Sequence, residues 1–282
     1  MLRSLDSGVS ALQQFQQEMD VIGNNIANVD TVGYKGANVS FADTFSQTLG
    51  SSSNGSMQVG TGVLTASISN DFTQGTISNT GVKTDMAVNG DGFFVVKDST
   101  SNAQYVTRDG HFTVDTSGNL VTSTGMHVQG YSDAGLTTLG DIKMDNTGAT
   151  MIDPISGLTV ADTSAVSSFS FGTDGKLTVM LADGTSFTRG QVLLQNFTSP
   201  GQLMKAGNNL FSNLAGAGPL SAPIAPGTSG LGSIVNSSLE MSNVDLASAM
   251  ASMITTQRAF EASGKIVTTS DEILQTLVNL KR

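Results

Sequence analysis

Residues 2–26, LRSLDSGVSALQQFQQEMDVIGNNI, place Leu5, Val9, Leu12, Phe15, Met19, Ile22 and Ile26 at steps of three and four. Steps of that size bring the apolar side chains onto one face of an α-helix. Ser4 or Asp6 is expected to cap its start, and the Asn-rich run Gly23–Asp30 to end it. Residues 246–278, LASAMASMITTQRAFEASGKIVTTSDEILQTLV, repeat the pattern at the far end of the chain. There Leu246, Met250, Met253, Phe260, Val267, Leu274 and Val278 advance by three, four or seven, and Ile254, Ile266, Ile273 and Leu277 widen the stripe. Ala247, Ala249, Ala251, Ala259, Ala262 and Gly264 supply small flanks on which a second helix can approach closely. Asn243 or Asp245 is placed to cap this helix, and Lys281 with Arg282 to meet the negative end of its dipole.

Between the two helices the pattern changes to alternation. Gly92–Lys97, Tyr105–Val114, Leu177–Leu181 and Gln191–Phe197 read as strands. Asn89-Gly90-Asp91-Gly92, Asp109-Gly110, Gly118-Asn119, Asp174-Gly175 and Asp183-Gly184 punctuate them, since such pairs tolerate the positive φ of tight hairpin turns. Arg108–Val114 and Thr173–Val179 look like two similar hairpin arms rather than a true repeat. Gly50–Gly62 and Asn213–Gly232, rich in Gly, Ser and Asn or Gly, Ala and Pro, read as loose linkers. The fold class expected is mixed. Residues 1–30 and 240–282 form a discontinuous helical domain, 31–70 an extended connecting segment, and 71–239 a β-rich domain with a modest insertion at about 131–168.

Composition narrows the function. Of 282 residues 32 are Gly and only 5 Pro, and charged residues make up 13%, about half the globular average. The net charge of −10, with 13 scattered Lys and Arg, argues against binding nucleic acid or anionic membrane surfaces. Cysteine is absent, which removes disulfides, thiolate metal sites and a Cys nucleophile. No apolar run reaches the length of a membrane span, and the N-terminus lacks the apolar core and cleavage site of a signal peptide, so export would take another route.

The two histidines, His111 and His127, sit in strand-like runs, and no serine stands in a G-x-S-x-G elbow. H-E-x-x-H, the calcium-loop spacing and phosphate-loop glycines are all missing, and Asp91 and Asp174 read as turn residues. No catalytic, metal or cofactor site is expected. Two isolated helices on loose linkers bury too little to offset the entropy of ordering them, so they require each other or further subunits.

Several segments carry a resemblance. Asp20-Val-Ile-Gly-Asn-Asn-Ile-Ala-Asn-Val29 with Thr31-Val-Gly-Tyr-Lys35 resembles the N-terminal signature of the flagellar rod and hook protein family. Ser242–Leu246, Met253-Ile254, Thr256–Phe260 and Thr268–Leu274 resemble its C-terminal signature, and Asp85–Phe94 and Tyr105–Gly110 its middle domain. The signature residues are Asn24, Asn25, Asn28, Gly33, Asn243, Gln257, Arg258 and Asp271. Phe41–Phe45, Asp71–Thr76, Ser78–Gly81, the short stretch between Leu49 and Val59, and the ending Leu277–Arg282 look hook-like.

The resemblance implies a non-enzymatic subunit of the extracellular flagellar hook, a curved tube acting as a universal joint between rod and filament. The alternatives are a distal rod subunit in the periplasm or a hook–filament junction-type protein. It implies N- and C-terminal helices paired as an inner coiled coil. The implied partners are further copies of the chain, the distal rod, the hook cap, the junction proteins and the type III export apparatus, with no nucleic acid and no membrane insertion. The expected polymerisation and helix-packing contacts are Leu5, Val9, Leu12, Phe15, Met19, Ile22, Ile26, Leu246, Met250, Met253, Phe260, Val267, Leu274 and Val278.

Overall fold

The computed structural model describes residues 2–52, 55–148, 150–152, 159–161, 164–220, 222–228 and 230–280. The chain divides into two compact units. One is made of Met1–Val29, Lys35–Asp71 and Val244–Arg282, the other of Asp30–Tyr34 and Phe72–Asn243.

In the first unit the N-terminal helix spans Leu2–Ala27 and the C-terminal helix Leu246–Leu280. Gly8 lies against Val267 and Ser263, and Gly23 against Met253, so the two helices run antiparallel along each other. A Cβ on Gly8 would stand 3.1 Å from the Val267 side chain, so the small residue sets how closely the helices approach. The expected cap at Ser4 or Asp6 is corrected. The helix already runs in from Leu2, because no Pro or Gly interrupts its hydrogen bonding upstream of Gly8. At the far end the Asn28 side chain donates to the Asn24 carbonyl at 2.9 Å, satisfying one of the last helical carbonyls. Of the two candidate caps of the second helix, Asp245 does the work: its carboxylate accepts the Ser248 amide at 2.7 Å. Lys281 and Arg282 lie outside the described residues.

The segment expected as an extended connector forms two antiparallel ladders. Ala37–Asp43 pairs with Val63–Asn70, and Ser46–Ser52 with Gly55–Gly60. The first ladder packs on the N-terminal helix. Phe15 and Phe41 meet edge to face at 6.2 Å, Thr65 donates to Gln17 Oε1 at 2.6 Å, and Asn25 pairs with both backbone groups of Ala37, at 2.8 and 3.0 Å. The N-terminal helix is thus covered on two sides within its own unit. Ser53 and Asn54 of the expected linker lie outside the described residues.

The second unit is built on an antiparallel sheet. In spatial order its strands are Val166–Phe171, Lys176–Leu181, Ser186–Val192, His127–Tyr131, Phe93–Lys97, Gln104–Thr107, Leu210–Ser212 and Met204–Gly207. The strand Phe93–Lys97 buries both faces. Phe94 and Val96 enter a cluster with Phe112, Leu120, Val128, Leu177 and Val192, while Phe93 and Val95 enter another with Val106, Phe197 and Phe211. Period-two alternation puts neighbours on opposite sides, so an apolar residue at every position means two cores.

Asp174-Gly175 and Asp183-Gly184 turn hairpins as expected, with φ of +78° and +88° at the glycines. Asp109-Gly110 does not: Gln104–Thr107 pairs with Phe93–Lys97 and Leu210–Ser212, whereas Phe112–Val114 pairs with Leu120–Thr122. Gly110 serves a crossing instead, since a Cβ there would fall 1.5 Å from the Met86 carbonyl oxygen. The likeness of Arg108–Val114 to Thr173–Val179 therefore stops at sequence.

Asn213–Gly232 is no loose linker. Leu214–Ala217 forms a helical turn, and isolated bridges tie Ile224 to Leu194 and Pro219 to Phe197, because Ala217, Ile224 and Leu231 have apolar clusters to cover. Ser221 and Ser229 lie outside the described residues. Within 131–168, Leu139–Asp141 adds to His127–Tyr131 and Thr150–Ile152 pairs with Thr159–Ala161, while residues 149, 153–158, 162 and 163 lie outside the described residues. The strand Ser238–Glu240 belongs to this unit, which runs on to Asn243.

Candidate functional site

The helical unit is short of a core. Among the described residues, Ile22, 9% exposed, is its one buried apolar side chain, whereas the β-rich unit holds the other buried apolar residues. Most of the large apolar side chains that stay exposed belong to the helical unit. Burying such surface is the main drive to association.

The structure sorts the stripe residues. Leu5, Leu12, Phe15, Met19 and Ile26 are half-buried and Val9 is exposed. On the C-terminal helix Met253, Phe260, Val267 and Leu274 are half-buried, whereas Leu246, Met250 and Val278 face solvent. Ile254, Ile266, Ile273, Leu277 and Leu280 are exposed as well. The register of Gly8 on Val267 and Gly23 on Met253 explains the last of these: the C-terminal helix runs on past the start of its partner.

Apolar residues alone give only part of the seam. Thr256, Ser263 and Ser270 are the buried residues of the C-terminal helix. With Met253, Phe260, Val267 and Leu274 they make one line of alternating three- and four-residue steps, the heptad spacing of a coiled coil. Their period of seven was the available signal. The hydroxyls of Thr256 and Ser270 bond to carbonyls four residues back, of Ser252 at 2.9 Å and Ile266 at 2.7 Å, so they sit in the seam without seeking a partner across it. Small side chains there keep the helices close.

The signature residues are mostly local scaffolding. Asn24, Asn25 and Asn28 end the first helix and fix the strand that follows. Gly33 takes φ +67° and lies so near Asp109 that a Cβ would come within 2.6 Å of its amide nitrogen. Asn243 donates to Thr73 Oγ1 at 3.0 Å. Arg258 pairs with Glu261 at 3.0 Å on an exposed face, Asp271 accepts from Gln275 at 3.3 Å, and Gln257 is exposed.

Both histidines pair with carboxylates. His111 Nδ1 lies 3.0 Å from Asp85 Oδ1, and His127 Nδ1 2.8 Å from Asp141 Oδ2. Burial pushes the carboxyl of Asp109 up, against the hydrogen bond it accepts from the His111 amide.

One buried ion pair escaped the sequence reading. Arg108 Nη1 stands 3.2 Å from Glu240 Oε2, their side chains 3% and 0% exposed. Burial pulls the Arg108 guanidinium down, against the attraction of Glu240 and of Asp91.

Comparison with known proteins comes to the same segments. The model described as "Flagella basal body rod protein" matches residues 5–35. "Flagellar hook protein FlgE/F/G D1 domain" matches 87–179, and "Flagellar basal body rod FlgEFG protein C-terminal" matches 235–280. The chain is 39% identical over 290 aligned residues to the flagellar basal-body rod protein FlgG of Bacillus subtilis, covering 100% of both chains. It is 31% identical to FlgG of Borreliella burgdorferi, again over 100% of both. The flagellar hook protein FlgE of Helicobacter mustelae is 44% identical over 155 residues, 52% of this chain and 34% of that one. The short stretch between Leu49 and Val59, expected to favour hook, does not prevent end-to-end alignment with rod proteins.

Proposed function

The chain belongs to the flagellar rod and hook protein family, and from that premise we propose that it is a distal rod subunit of the bacterial flagellum, polymerising into a straight tube. The observation that carries the rod over the hook is coverage. Relatives named as rod proteins match over the whole chain and their own whole length, whereas the hook relative matches about half of this chain and a third of its own. The hook remains the second reading, favoured by the higher local identity.

The work of such a subunit is mechanical. The helical unit offers apolar surface to copies above, below and beside it, and a head-to-tail contact that does not close produces an open tube. Ordering of the terminal helices is completed by neighbours, so the chain can travel unfolded through an export channel and gain stability on arrival. The partners under this reading are other copies, the next segment of the flagellar shaft and the export apparatus, and the site is the periplasm. No reaction is assigned to His111, His127 or any other residue.

Electron microscopy of the purified polymer tests the reading. A straight tube is expected. A uniformly curved tube assigns the chain to the hook, and a protein that stays monomeric at high concentration removes the polymer reading altogether.

A further inference from the structure

We propose that the Arg108–Glu240 pair is a mechanical clamp, holding together the three segments through which the backbone enters or leaves the β-rich unit. Those segments are residues 30–34, 72–75 and 240–243. The Glu240 carbonyl accepts the Gly33 amide at 2.8 Å, and its carboxylate accepts the Gly75 amide at 2.9 Å. The second arm of Arg108 donates to the Gly90 carbonyl at 2.9 Å. Asn243 reaches Thr73, and Asn209 holds the Val32 carbonyl at 2.7 Å. Gly75 lies so close to Met241 that a Cβ would come within 2.0 Å of its carbonyl oxygen. All three segments thus converge on one residue, Glu240, and Glu240 is tied to the main sheet through Arg108.

The topology shows why the tie matters. Among the described residues Ser238–Glu240 pairs with Ile77–Asn79 alone, as a two-stranded ladder separate from the large sheet. Two of the three segments, 72–75 and 240–243, hang on that ribbon. Arg108 directly follows the strand Gln104–Thr107 in the middle of the large sheet, and its guanidinium stacks 5.0 Å over Phe93. A pull on these segments is therefore shared across several bonds at once and delivered to the core, instead of peeling the ribbon bond by bond.

Equilibrium stability is a poor reason for such a pair. Desolvating two charges roughly cancels their attraction, and apolar substitutes of similar volume often serve as well. The pair here even leaves Arg108 Nε buried without a hydrogen bond. What an ion pair adds over an apolar contact is a fixed geometry with a steep penalty for separation. The clamp borrows only the source of its load from the proposed function, and its test does not need a polymer.

The chain has no cysteine, so Asp20→Cys and Thr100→Cys, both exposed, give unique handles for optical tweezers on the full-length monomer. Under steady load the double variant Arg108→Met with Glu240→Leu is expected to give way roughly a hundredfold faster, with little change in urea midpoint. An unchanged rate under load, or an increase no larger than that of unfolding in urea, overturns the clamp. Should the double variant not fold, Glu240→Gln keeps the shape and is judged by the same two rates. The unaltered residues supply a further check: if the first extension step releases the ribbon of 72–79 and 238–243, the clamp is refuted without any substitution at the pair.

Discussion

Gly33 occupies a position that only glycine fills without strain, for two reasons at once: its φ is positive, and the backbone of Asp109 leaves no room for a Cβ. Gly33→Ala is expected to cost about 2–4 kcal/mol, read as a lowered urea midpoint of the β-rich unit. Asp109 beside it gives a pH test. Its carboxyl is raised by burial, so the folded protein holds a proton there that the unfolded chain has already released. A raised folded value means the contribution is fully present below the ordinary carboxylate range and is lost as pH rises from there through the raised folded value. Asp109→Asn keeps the acceptor for the His111 amide and removes the titration. The variant is expected to match the wild type near about pH 3 and to exceed it in stability at about pH 7, measured as urea midpoints across that range. A gap that widens on acidification would contradict the burial argument.

At the scale of elements, the helix pair rests on large apolar residues alternating with hydroxyls along one seam. Phe260 lies midway along it, half-buried. Phe260→Asp places a charge in the seam, at a cost of several kcal/mol, and is expected to abolish tubes while the β-rich unit keeps its unfolding transition. Tubes that form normally, seen by electron microscopy, would separate polymerisation from helix pairing. Gly8 tests closeness of approach. Gly8→Leu must push Val267 aside and is expected to cost about 1–3 kcal/mol, seen as earlier loss of helical circular dichroism on heating.

At the scale of the whole molecule, the boundary of the β-rich unit falls after Asn243 and not at 239, because Glu240 is buried against Arg108. A fragment 72–243 is expected to unfold cooperatively. A fragment 72–239 leaves Arg108 buried without its counter-charge and is expected to be about 3–5 kcal/mol less stable, measured by urea denaturation. Equal midpoints would show that the pair is dispensable to the unit.

Much of this was legible from residue order. The stripes Leu5–Ile26 and Leu246–Val278 determined two helices, because helical period is a local property written every third or fourth residue. Asp174-Gly175 and Asp183-Gly184 determined hairpins, because turn chemistry is settled within four residues. Asp109-Gly110, with the same letters, became a crossing, since whether a turn closes a hairpin depends on which strands pair across the fold. Thr256, Ser263 and Ser270 entered the seam because the partner helix with Gly8 covers them, which polarity alone could not reveal. Arg108 and Glu240 stand 132 positions apart, and nothing short of the folded chain brings them within 3.2 Å. Local sequence determined what each segment is; long-range packing decided which residues meet, because contact between distant segments depends on the whole path of the chain between them.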